Sequence, residues 1–142
     1  MLSRKCIGYQ KLVWLAYHDS LTGLPNRNWL NEHIEDMPCQ YVYFVDINDL
    51  HLINNNLGHT IGDRQICDVV AILKRKTVIS IIRYAGDEFV VLSNRKGQFK
   101  TNAAFSVGEA SMDEVGNNLA AAINRADQNM IFEKKRFKRG RS

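Results

Sequence analysis

Long apolar runs are missing from this chain of 142 residues. None approaches the ~18 consecutive apolar residues that a membrane-crossing helix needs, so no membrane span is expected. Residues 1–11 carry Arg4, Lys5 and Lys11 with no long apolar stretch behind them, which argues against a signal peptide. Cysteine is scarce: Cys6, Cys39 and Cys67 are odd in number, widely spaced, and form neither a CxxC pair nor a zinc pattern. They read as reduced thiols of a cytoplasmic protein rather than a disulfide or metal framework. There is no internal repeat and no low-complexity linker, so residues 1–142 read as one domain.

The charge is unevenly placed. The net charge is +4, yet Lys134, Lys135, Arg136, Lys138, Arg139 and Arg141 supply six positive charges near the C-terminus, and the rest of the chain stands at −2. Residues 134–142 read as a basic tail. Such a tail can meet nucleic acid or a membrane surface, stay solvated, or hold phosphates if the fold brings it to a site.

Strand and helix signals alternate. Residues 1–16 read as a lead-in segment, with a short helix over 10–17. The stretch Asp19-Ser20-Leu21-Thr22-Gly23-Leu24-Pro25-Asn26 is rich in turn formers. A helix opens at Asn26 or Arg27 and runs to about Glu35, with Pro38 closing the region. Tyr41–Ile47 is apolar on both faces, as a buried strand is. Residues 50–56 suggest a short helix closed by Gly58, and 61–75 a longer one whose Ile66, Val69, Val70 and Leu73 share a face. Residues 78–84 and 88–92 flank a tight turn and read as a hairpin. A polar loop over 94–100, a strand over 103–109 and a helix from about Val115 follow. Leu119, Ala122, Ile123, Ala126 and Met130 form the apolar face of that helix. The order predicts an α+β fold with a largely antiparallel sheet flanked by helices.

Asp46 ends the first strand, and Asp87 and Glu88 stand at the hairpin tip. If these elements are sheet neighbours, the carboxylates meet at one rim. Unpaired carboxylates so placed repel one another and resist ionisation. A magnesium ion relieves that, and it prefers oxygen ligands shared with substrate phosphates. The alternative is that Asp46 caps the next helix and Asp87 only makes a turn. Trp14 and Trp29 read as packing anchors, and His18, His33 and His59 as surface or capping groups.

Four blocks in order resemble the GGDEF family, the diguanylate cyclases. These are Asp19 to Arg27 (DSLTGLPNR), then Asp46-Ile47-Asn48 with Asn54, Gly58-His59 and Gly62-Asp63, then Arg83-Tyr84-Ala85-Gly86-Asp87-Glu88-Phe89, and last Ser106-Val107-Gly108 with Ala126-Asp127 and Lys134. The resemblance spans residues 17–140. It implies a palm-like fold of the nucleotidyl cyclase and ferredoxin-like kind. It also implies condensation of two GTP into cyclic di-GMP with release of pyrophosphate. By position, Asp46, Asp87 and the carbonyl of Ile47 would hold two Mg2+ ions, with Mn2+ as a substitute. Asp87 and Glu88 would be catalytic. Asn54 and Asp63 would read the guanine edge, Ala85 and Gly86 would border the nucleotide, and Lys134 and Lys138 would hold terminal phosphates. Asn54 and Asp63 have plainer readings, as a helix-turn residue and a helix cap. Because each family domain holds one GTP, a homodimer is implied, at least during catalysis.

The chain departs from the family in several places. Ala85 stands where the signature has glycine, which predicts crowding or backbone strain and weakened activity. Asn48, His51 and Asn55 replace residues common in the family, and Asn48 is given no metal role. Lys76, Thr77, Val78 and Ile79 replace the RxxD product-inhibition motif, so no feedback through it is expected. The segment 92–103 is short where the family carries a helix, which predicts an exposed sheet face or one covered by a partner. The second reading is therefore a weak or inactive domain that binds GTP or a regulatory protein. The third, a nucleic-acid module built on the basic end, has no specific motif behind it.

Overall fold

The computed structural model describes residues 4–140. In chain order the elements are α1 (Arg4–Tyr17), α2 (Arg27–His33), β1 (Tyr41–Ile47), α3 (Leu50–Leu57), α4 (His59–Leu73), β2 (Ser80–Ala85), β3 (Glu88–Ser93), β4 (Phe105–Ser111), a 3-10 turn (Met112–Val115) and α5 (Leu119–Gly140). The four strands form one sheet in the order β2-β3-β1-β4, with every neighbour antiparallel. This is the split βαβ arrangement of ferredoxin-like folds, and it bears out the α+β expectation.

β1 is the central ladder, which explains why it is apolar on both faces. Tyr43, Val45 and Ile47 pack into one core layer with Ile66, Val69, Val70 and Leu73 of α4. Val42 and Phe44 pack into the opposite layer with Leu30 of α2 and with Leu119, Ala122, Ile123, Ala126 and Met130 of α5. Both helical faces read from the sequence are the buried ones. α5 lies against β4 with no room to spare. A Cβ built on Gly108 would stand 2.0 Å from the carbonyl oxygen of Ala126 and 2.1 Å from the amide of Met130. Glycine is required there by the approach of two backbones.

The shortened segment does not expose the sheet. Parallel strands joined across a third usually need a helix between them, and β3 and β4 are joined by residues 94–104 alone. This strap crosses the face and drives Phe99 edge-on into Tyr43, with ring centroids 5.1 Å apart. Tyr43, Val91 and Val107 beneath it are buried, so the expected exposed face is overturned. Burying Phe99 contributes roughly 1.5–3 kcal/mol. Hydrogen bonds hold the strap where a helix would have held itself. The Tyr43 hydroxyl donates to the Arg95 carbonyl at 2.6 Å and accepts from the Gln98 amide at 3.1 Å. The Ser93 hydroxyl bonds the Gln98 side chain, and Gln98 Nε2 donates to the Thr77 carbonyl at 2.8 Å.

The outer edge of β4 is also tied down. Asn102 takes the amide and carbonyl of Phe105 through its side chain and amide, at 3.0 and 2.9 Å. The Thr101 hydroxyl takes the Val107 amide at 3.0 Å, Asn129 donates to the Glu109 carbonyl at 2.8 Å, and Glu114 accepts from the Ser111 amide at 3.3 Å. β4 begins at Phe105 rather than residue 103 because Asn102 Oδ1 also accepts from the Ala104 amide, at 2.8 Å, and holds a turn. The last helix begins at Leu119 rather than near Val115. Ser111 and Glu114 form a capping box on a 3-10 turn, and Gly116 and Asn117 then break the run with positive φ. α1 reaches back to Arg4, and its Tyr9, Leu12 and Leu15 are exposed. The tail of the sequence reading is helical. Residues 134–140 are the last turns of α5, and Arg141 lies outside the described residues. No helix among the described residues is long and apolar enough to cross a membrane.

Candidate functional site

The register of the sheet assembles the acidic rim. Asp46, next to last in β1, faces Glu88 of β3 on one side and Ser106 of β4 on the other. The Ile47 amide donates to the Asp87 carbonyl at 2.8 Å and draws the hairpin tip onto the end of β1. Asp46, Asp87 and Glu88 therefore share one end of the sheet. Asp46 caps no helix, since α3 follows Asp49, whose φ of 58 is left-handed. Asp87 does sit in the turn, and it faces the rim as well.

The electrostatics are strained in a definite direction. The Asp46 carboxyl is pushed up to about 6 by burial first and by Asp87 second, with Lys134 pulling it back. Its Oδ2 accepts from Lys134 Nζ at 3.3 Å, while its Oδ1 is buried without a hydrogen-bond partner. Glu88 is also pushed up, by burial, then by Asp46, Asp87 and Asp127, against the pull of Arg27. Among the described residues no group of three or more His, Cys, Asp or Glu side chains is placed to hold a metal ion by itself. Carboxylates gathered at one rim suit an ion that shares its coordination with phosphate oxygens and water. The orphaned Oδ1 fits that ion.

Asn54 of α3 packs against Gly62 of α4, the residue before Asp63. Gly62 precedes the exposed Asp63, and a Cβ on Gly62 would lie 1.7 Å from Asn54 Oδ1. The glycine makes room for the amide, whose Oδ1 is buried and unpartnered. Asp63 is no helix cap, because α4 already begins at His59. Lys138 is exposed, one turn beyond Lys134 on α5. Ala85 carries no positive φ and neither does Gly86, so the expected backbone strain is overturned. A Cβ on Gly86 would meet nothing within 4 Å, which leaves open space beside the turn. Asn48 is a clamp. Its amide donates to the carbonyls of Asn102 and Ala103 at 2.9 and 3.2 Å and accepts from Ser106 at 2.7 Å.

Some contributors were missed by the sequence reading. Asp127 and Arg27 both act on Glu88, and the Arg27 guanidinium stacks 4.2 Å over the Tyr84 ring. The spacing of Asp127 and Lys134, two helical turns apart, was a usable signal for one shared face. The opening motif also has a structural task. Arg83 Nη1 meets both Asp19 oxygens at 2.9 and 3.0 Å, and its Nη2 donates to the Gly86 carbonyl at 2.8 Å. Asp19 thus braces the hairpin that carries Asp87. His18 and His33 stack on Trp14 and Trp29, each bonding a carbonyl one turn back. A groove of about 950 Å3 lies elsewhere, between the strap, β4 and α5. Its polar groups Glu109, Asn129 and Glu133 are already engaged by Gly97, the Glu109 carbonyl and Arg136. We therefore place the site at the acidic rim.

The sequence profile described as diguanylate cyclase, GGDEF domain, matches residues 16–105, and the chain belongs to the GGDEF family. It is 29% identical over 157 residues to the cyclic di-GMP phosphodiesterase PdeR of Escherichia coli K12, covering 88% of this chain and 23% of that protein. It is 38% identical over 99 residues to the cyclic di-GMP phosphodiesterase NbdA of Pseudomonas aeruginosa, covering 61% of this chain and 12% of that one. The chain thus spans less than a quarter of these relatives. Among solved structures, the coiled coil and GGDEF domain of DgcB from Caulobacter crescentus, in complex with c-di-GMP, superposes with a TM-score of 0.74 at 20% identity, over 93% of this chain and 87% of that one. A diguanylate cyclase/phosphodiesterase from Caldicellulosiruptor saccharolyticus gives 0.68 at 24% identity, over 88% and 91%. At these identities the two structures speak for the fold.

Proposed function

We propose that this domain binds GTP with divalent magnesium at the rim of Asp46, Ile47, Asp87 and Glu88, and that two copies facing each other condense two GTP into cyclic di-GMP. Manganese would serve in place of magnesium. The observation that carries this reading is the buried, unpartnered Oδ1 of Asp46 beside two further carboxylates. A protein keeps such a group at a cost unless something cationic completes it.

Asp46, Asp87 and the Ile47 carbonyl would hold the metal. When bound, the ion neutralises the rim and polarises the phosphate under attack. The chain's own groups do the rest. Asn54 and Asp63 present an amide and a carboxylate to the guanine edge, which offers an N–H and an amino group where adenine has no such pair of donors. Lys134, with Lys138 beyond it, balances the terminal phosphates. The open space at Gly86 admits the nucleotide against the turn. The 3′-hydroxyl oxygen of one GTP bonds to the α-phosphorus of the other, and the bond from that phosphorus to the bridging oxygen breaks, releasing pyrophosphate. Glu88, held above its ordinary range, takes the hydroxyl proton. The same exchange in the other direction closes the ring, so the reaction needs two domains.

Ala85 favours the second reading, a domain that binds GTP or a partner protein and turns over weakly. The methyl replaces a glycine of the family signature beside the open space at Gly86. Incubation of concentrated protein with GTP and Mg2+, with product identified by mass, decides between them. Cyclic di-GMP from the wild type and none from Asp87→Ala supports the enzyme. GTP binding without dinucleotide supports the regulatory domain.

A further inference from the structure

We infer that Lys134 is the built-in counter-ion of the metal site, so that the domain takes up a divalent cation together with a triphosphate and not ahead of it. The inference rests on the nucleotide reading above. Lys134 Nζ stands 3.3 Å from Asp46 Oδ2, where the Asp46 side chain is only 12% exposed and that of Lys134 30%. The ammonium thus occupies the field that an incoming cation would use. Asp87 from the turn, Glu88 from β3 and Lys134 from α5 act on Asp46, while Asp127 of α5 and Arg27 at the start of α2 act on Glu88 beside it. A bare dication is drawn by the carboxylates and repelled by the ammonium a few ångströms away.

Lys134 can stay or leave because of how it is mounted. Its backbone belongs to α5, which Gly108 seats hard against β4, whereas its four-carbon stem is flexible and its charge compact. A triphosphate supplies several negative charges at once. It draws the ammonium off Asp46 Oδ2 and frees that oxygen while Oδ1 already lacks a partner. Metal and nucleotide then favour each other's binding, by the same factor in either order.

The test measures Mn2+ uptake by electron paramagnetic resonance on the full chain, without nucleotide and then with a non-hydrolysable guanosine triphosphate analogue. Lys134→Met and Lys134→Gln are compared with the wild type. The expected result is that both variants bind Mn2+ alone about tenfold more tightly, as the Coulomb repulsion of a nearby charge implies. The enhancement by the analogue should shrink by a similar factor. If the wild type takes up Mn2+ with the analogue while both variants bind Mn2+ alone no better than it does, the counter-ion inference is overturned. A wild type that takes up no Mn2+ even with the analogue overturns the nucleotide reading, and this inference with it.

Discussion

Replacing Asp19 with Asn should cost the domain about 2–3 kcal/mol, although Asp19 lies outside the acidic rim. Its carboxylate accepts from the Thr22 amide at 2.9 Å, from the Thr22 hydroxyl at 2.6 Å and from Arg83 at 2.9 and 3.0 Å. The Arg83 and Asp19 side chains are only 14% and 19% exposed. Hydrogen bonds to charged groups contribute about 1.5–3 kcal/mol each, and breaking a fully buried ion pair costs about 3–5 kcal/mol. Residual solvent at this pair lowers the expectation to about 2–3 kcal/mol. With a urea dependence of about 1–3 kcal/mol/M, the unfolding midpoint should fall by roughly 1–2 M. The control is Glu114→Gln, which breaks an exposed pair with Arg125 at 3.4 Å and should change stability by less than ~0.5 kcal/mol. The pH dependence has a fixed sign. Burial raises the Asp19 carboxyl, but the bonds from Thr22 and Arg83 outweigh it and hold the group below its ordinary value. The stabilisation is therefore present above the unfolded value near pH ~4 and is lost as acid takes the pH through the lower folded value. The gap between wild type and Asp19→Asn should close in that range. Equal urea midpoints for Asp19→Asn and Glu114→Gln at neutral pH would refute the reasoning.

Two further outcomes follow from the geometry. Gly108→Ala should lower stability by about 3 kcal/mol or more, because the methyl meets backbone atoms that cannot give way. Gly86→Ala, which meets nothing, should stay within ~0.5 kcal/mol of wild type. Thermal melts of the pair check the contrast, and similar losses in both would defeat it. In metal-free buffer, Asp46→Asn should raise stability at pH 7.5. The native carboxyl, pushed up to about 6, binds its proton more readily folded than unfolded, so the charged form opposes folding. The wild type should gain stability as pH falls from about 7 towards 4, and the advantage of Asp46→Asn, of order 1 kcal/mol after discounting for solvent at the rim, should vanish there. Urea midpoints at the two pH values decide it, and an advantage unchanged at low pH counts against the proposed strain.

What could be read in the sequence was whatever periodicity and motif order encode. The bounds of β1 and the buried faces of α4 and α5 were legible because apolar residues recur at the spacing of their element. The convergence of Asp46 and Asp87 was legible because one ends a strand and the other tips a hairpin. The strap was not, since nothing local says that Phe99 will find Tyr43 across the sheet, or that polar residues will hold an irregular crossover flat. The late start of α5 was within reach, as Ser111 and Glu114 stand at capping-box spacing. The strain expected of Ala85 was a sound rule applied to a turn whose φ values did not call for it.

The stitching along β4 has an outcome at the scale of many molecules. A strand whose outward groups already bond to Asn102, Thr101, Asn129 and Glu114 has little left for a neighbouring chain to zip onto. Crowded copies of this domain should therefore resist edge-to-edge fibre growth on that flank.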